Sequence, residues 1–100
     1  MDVKEIRNGK ELNIAIAGRL DTAAAPAFIQ QLNELLAGDV EDFILDMEEC
    51  DYVASSGLRA ILNAQMTMTK KGGHMVVKNV APSVMEVFEM TGFADILTIE

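Results

Sequence analysis

Two adjacent hydroxyls followed by a glycine, Ser55-Ser56-Gly57, stand where an apolar segment gives way to a helical pattern, and they are the residues of this chain best suited to chemistry. A serine at a helix start has two readings. Its oxygen can accept a hydrogen bond from an unpaired backbone N–H, as an N-cap. It can also carry a phosphate, which free N–H groups and the positive end of the helix dipole stabilise. The two readings are compatible, with one serine capping and the other exposed. Asp21 and Asp46 form a second candidate pair, two carboxylates at neighbouring strand ends that could serve acid-base or metal chemistry. No His, Lys or nucleophile arrangement joins them, so capping of turns is their simpler role. Cys50 and His74 are too few ligands for a structural metal, and a single cysteine makes no internal disulfide. Gly72-Gly73 ends a helical pattern instead of opening one, so no glycine loop cradles a phosphate. The expectation is a chain with no catalytic residue, no metal and no cofactor.

The elements that position these residues follow from periodicity and punctuation. Gly38, Gly72-Gly73 and Gly92 each close a helical pattern. The first helix is expected from Thr22 to Ala37, with Ala25, Phe28, Leu32, Leu35 and Leu36 on one stripe and Pro26 in its first turns. The second runs from Ser56 to Lys71, with Leu58, Ile61, Leu62 and Met68 on its core face, and the third from Pro82 to Thr91. Short apolar segments between them read as strands: Val3–Arg7 and Leu12–Ala17 around an Asn8-Gly9 hairpin signal, then Phe43–Met47, Met75–Lys78 and Ile96–Ile99. The order β-β-α-β-α-β-α-β predicts an α/β fold with a single mixed, mostly parallel sheet, an N-terminal hairpin and helices packed mainly on one face. One domain spans residues 1–100, because nothing marks an internal linker.

Helical geometry places Ser56, Arg59, Ala60, Asn63 and Thr67 on the side opposite Leu58, Ile61 and Leu62. That small, mildly polar face suits docking of another protein, with Gly57 offering no obstruction and Met66 an adaptable shoulder. Asp46, Glu48, Glu49 and Asp51 read as a solvated acidic loop ahead of it. Sixteen acids against eight bases leave a net charge of −8, which repels phosphate backbones and anionic membranes. The apolar runs fall short of the roughly 20 residues a membrane span needs, and the start lacks the basic-then-apolar pattern of a secretory signal. A cytoplasmic monomer is expected.

Three stretches carry a family resemblance: Gly18-Arg19-Leu20-Asp21-Thr22, Tyr52-Val53-Ala54-Ser55-Ser56-Gly57-Leu58-Arg59, and Asn79-Val80-Ala81-Pro82-Ser83-Val84 leading to Thr91-Gly92-Phe93. The chain resembles a free-standing STAS domain of the bacterial anti-sigma factor antagonist type. The resemblance implies partner switching: the unmodified antagonist binds an anti-sigma factor that is also a serine kinase, phosphorylation by that kinase breaks the complex, and a PP2C-type phosphatase resets it. It implies Ser56, the serine before the glycine, as the phosphorylated residue, with Ser55 as second choice. Asp21, Ser55, Gly57, Arg59 and Asn63 become candidate partner-binding residues. Where family members regulated this way commonly carry Asp, this chain has Ala54. That departure keeps a constitutive interaction or scaffold module open as the alternative, and the Asp21/Asp46 pair keeps a small enzyme as a third.

Overall fold

In a computed structural model covering all 100 residues, Gly9 turns the chain with a φ of 60°. It joins β1 (Asp2–Asn8) to β2 (Glu11–Leu20), an antiparallel pair in which Asn8 lies opposite Glu11. The two-residue loop is thus Gly9-Lys10, one position later than Asn8-Gly9, as a turn with glycine at its first central position requires. β3 (Asp42–Val53) runs parallel to β2 and β4 (His74–Lys78) parallel to β3, giving the order β1-β2-β3-β4. Helices α1 (Ala25–Leu36), α2 (Ser55–Lys70) and α3 (Pro82–Thr91) follow β2, β3 and β4 in turn. The expected mixed α/β fold is therefore present.

Three local departures have physical causes. α1 begins at Ala25 instead of Thr22, because the Asp21 carboxylate accepts from the Ala24 N–H at 2.9 Å and its carbonyl from the Ala25 N–H at 3.0 Å, holding the entry as a turn. β3 runs on to Val53, so the expected acidic loop is strand. The last strand shrinks to one parallel bridge between Val77 and Ile99. Gly92, at φ 82°, ends α3 in the left-handed region. The chain then winds through a 3-10 turn over Phe93–Asp95 that draws in the Ile96 and Leu97 amides, leaving only Thr98 and Glu100 to bond Val77.

Alternation along the strands decides where the core lies. Leu12, Ile14 and Ile16 of β2, Phe43, Leu45 and Met47 of β3, and Met75 and Val77 of β4 are all buried, pointing to one face. Phe28, Leu32 and Leu36 of α1, Leu58, Ile61 and Met68 of α2, and Val84 and Phe88 of α3 close over them in a single cluster. No helix is long and apolar enough to cross a membrane.

Candidate functional site

β3 delivers the serines directly onto α2. Its burial period lengthens from two to three residues past Met47, with Met47, Cys50 and Val53 inward and Glu48, Glu49, Asp51 and Tyr52 outward. Register shifts against β2 between Ala15 and Ala17 and between Gly18 and Arg19 absorb the irregularity. Ala54 alone links strand to helix. Its N–H donates to the Leu20 carbonyl at 2.9 Å and its carbonyl accepts from Leu58 at 2.9 Å, so it is the N-cap of α2. Alanine offers no side-chain acceptor there. The first-turn amides of Ser55, Ser56 and Gly57 lie outside the helix ladder and point to the end of the helix, where anions are favoured.

The two serines differ in environment. Ser55 is exposed, whereas Ser56 is half-buried with its Oγ shielded from solvent and without a hydrogen-bond partner. Neither serves as the cap. The core-facing line of α2 runs along Gly57, Leu58, Ala60, Ile61, Ala64 and Met68, so the expected Leu58, Ile61 and Met68 are buried while the line is broadened towards Gly57, Ala60 and Ala64 and away from Leu62. Ala60, expected outside, is 1% exposed, and Leu62, expected inside, is only half-buried. Gly57 is likewise buried and presents no open surface to a partner. A Cβ there would stand 2.7 Å from Leu20 Cγ and 2.8 Å from the Leu20 carbonyl oxygen, so this glycine lets α2 press against the end of β2.

The exposed line of α2 carries Ser55, Arg59, Asn63 and Met66, the last 60% exposed, while Thr67 is half-buried at its margin. Asp21 lies just beyond Leu20, whose carbonyl holds Ala54, so the carboxylate neighbours the serine turn while serving as a cap for the entry to α1. Asp46 does not join it. Its carboxylate accepts from the Glu48 N–H and from Asn79 Nδ2, both at 3.0 Å, and it sits beside Ala15, about 20 Å of strand away at the usual rise. The paired-carboxylate reading fails on that geometry. Cys50 and His74 are also far apart: the buried Cys50 thiol donates to the Tyr52 carbonyl, while His74 is exposed beside Asp42 at the opposite end of the sheet.

One feature near the site is not evident from spacing. Arg19 stacks its guanidinium over the Tyr52 ring, 4.0 Å from the centroid, on the far side of the sheet from α2. The two residues become neighbours only through the register shift between Gly18 and Arg19. Lys10, remote from the serines, holds its ammonium above the ordinary lysine range through its hydrogen bond to Glu41 and the charges of Asp39 and Glu41.

Residues 4–98 match the family model described as "Mlab, STAS domain", and the chain belongs to the STAS domain family. It is 28% identical over 99 residues to an anti-sigma-B factor antagonist of Bacillus subtilis strain 168, covering 99% of this chain and 88% of the relative. The crystal structure of an anti-sigma factor antagonist from Mycobacterium paratuberculosis superposes with a TM-score of 0.87 at 17% identity, over 98% of this chain and 83% of that one. The Bacillus cell fate determinant SpoIIAA in its phosphorylated form superposes at 0.79 with 19% identity, over 99% and 91% of the two chains. The likeness of these solved structures is one of fold.

Proposed function

We propose that this chain is an anti-sigma factor antagonist that binds an anti-sigma factor with serine kinase activity through the start of α2, and that phosphorylation of Ser56 breaks the complex. The observation that carries the reading is the family's Ser-Ser-Gly motif at the uncapped N-terminus of α2, within a chain whose antagonist relative matches it nearly end to end. Ser55, Arg59 and Asn63 form the docking line on α2, Asp21 flanks it, and Gly57 acts indirectly by seating the helix on Leu20.

The switch follows from charge and space. The Ser56 Oγ sits shielded and unpartnered in the resting protein, so the side chain turns outward to meet a kinase. A phosphate of charge near −2 is too large and too polar to turn back. It remains on the docking surface, met by the first-turn amides and beside the turn that follows Leu20, where it obstructs the partner. A PP2C-type phosphatase restores the hydroxyl. On this reading the protein works as a cytoplasmic monomer and is a substrate without a reaction of its own.

Incubation with the kinase partner and ATP is expected to add one phosphate, which Ser56→Ala abolishes and Ser55→Ala does not. Incorporation that survives Ser56→Ala and is lost in Ser55→Ala moves the acceptor to the exposed serine. A second reading, a constitutive interaction module, is favoured by Ala54 in the place of the family's Asp and by the shielded Ser56 Oγ. Under it Ser56→Asp leaves partner affinity unchanged, whereas the switch requires a large loss.

A further inference from the structure

The second face of the sheet carries no helix, and its side chains form rows running across the strands. Ile6, Asn13, Ile44 and Val76 make one row, and Lys4, Ala15, Asp46 and Lys78 the next. Ile6 is 53% exposed, and Ala15, Ala17, Ile44 and Val76 are each only partly covered. Three of the four strands are parallel, and parallel sheets are normally covered on both faces because crossover helices pack on each; here the helices pack on one. Four of the eight residues in these rows are apolar, on a face that the chain itself leaves open.

Its charge says what covers it. Two shallow hollows mark the face, of about 400 and 170 Å³. Asp2, Asp46, Glu48 and Glu49 ring the first, with Lys4 as the single base. Glu11, Asp42 and Glu100 ring the second together with His74 and with Lys78, which lies 3.9 Å from Glu100. A second copy of this chain would bring the same carboxylates against themselves, and a nucleic acid or an anionic membrane would be repelled.

We infer that the open sheet face docks a cationic, partly apolar segment of another protein, with arginine or lysine stems lying along Ala15, Ala17 and Ile44 and their heads reaching the surrounding carboxylates. Long basic side chains combine an apolar stem with a charged tip, which matches an apolar floor inside an acidic rim. This surface lies on the opposite side of the sheet from the serines of α2, and it does not depend on the antagonist reading.

The test uses the intact protein and a synthetic hexapeptide of alternating arginine and valine, followed by amide chemical shifts. Saturable shifts at Ala15, Ala17, Ile44 and Val76, weakened by salt and reduced roughly tenfold in affinity by the pair Glu48→Gln and Glu49→Gln, are expected, since two interfacial charge contacts together are worth about that factor. An alternating glutamate and valine peptide should leave these amides unmoved. Shifts that appear equally around Asp39 and Glu41, or that the substitutions leave unchanged, reduce the effect to bulk charge and overturn the proposal. So does the absence of saturation at millimolar peptide. Concentration-dependent dimerisation in sedimentation, with shifts on the same face, would replace the partner by a second copy and overturn it equally.

Discussion

Gly57→Ala tests the packing that fixes the rotation of α2 and hence the environment of both serines. In an unobstructed helix the change gains about 0.5–1 kcal/mol, because alanine loses less backbone freedom than glycine. Here the added methyl would meet Leu20 Cγ at 2.7 Å, the Leu20 carbonyl oxygen at 2.8 Å and Leu20 Cδ2 at 3.0 Å. Leu20 is fully buried, and its carbonyl is the acceptor for the Ala54 N–H at 2.9 Å, so neither atom yields freely. Overpacking of a tight core costs about 1–3 kcal/mol, and loosening the strand-to-helix hydrogen bond about 1 kcal/mol more. Against the propensity gain, the balance is a loss of about 1–3 kcal/mol. Urea unfolding followed by far-UV circular dichroism reads it directly, and in thermal unfolding the midpoint should fall by at least about 4 °C for a domain of this size. In a double-mutant cycle with Leu20→Ala the two losses should be less than additive, because the shortened side chain removes two of the three close contacts. A variant as stable as the parent, or more stable, would refute the close approach of α2 to β2.

The remaining predictions address neighbouring features. Ala54→Asp supplies the missing cap of α2 and should raise stability by about 1 kcal/mol in urea unfolding; no gain would mean that the first-turn amides already have partners. Ile61→Ala should cost about 2–5 kcal/mol, and Leu62→Ala distinctly less, because Ile61 is fully buried and Leu62 is not; the reverse order would overturn the helix phase. Lys10 should titrate above the ordinary lysine value in side-chain NMR, and Glu41→Gln should lower its midpoint, since the hydrogen bond to Glu41 is the main cause of its raised value. That pairing favours the folded state at pH below the ordinary lysine value and is lost as pH rises through the raised one, with a small effect because Lys10 and its partners lie at the surface.

Local signals made most of the strand order legible. Asn8-Gly9 between two short apolar segments announces a hairpin, and strands separated by helix-length patterns announce parallel crossovers, so the antiparallel opening and the parallel strands after it follow from local signals. The far half of β3 was not legible. Glu48-Glu49-Cys50-Asp51-Tyr52-Val53 is acidic and lacks alternation, which reads as a loop when the strand period is assumed to be two. The shift of register against β2 lengthens the period to three, so Cys50 and Val53 still reach the core. Only the partner strand supplies that information, and with it the stacking of Arg19 on Tyr52. At the other end, Ile96–Ile99 has the composition of a strand but too little length left after the turn at Phe93–Asp95 to form more than a bridge.

The rotation of α2 shows why the site itself was harder to read than the fold. A stripe drawn through the largest apolar residues passes through Leu58, Ile61 and Leu62, because transfer free energy scales with side-chain area. The observed interface keeps Leu58, Ile61 and Met68 but loses Leu62 and adds Gly57, Ala60 and Ala64, small residues whose value is the short distance they permit between elements. Small residues carry almost no hydrophobic signal of their own, so a pattern based on hydropathy turns the helix away from them. The consequence falls on the motif: with Gly57 seated against Leu20, Ser56 is carried to the edge of the core while Ser55 stays in solvent. The glycine expected to clear space for a partner instead sets which hydroxyl is presented at rest, because the contact that seats the helix on Leu20 leaves Ser55 in solvent and the Ser56 hydroxyl shielded.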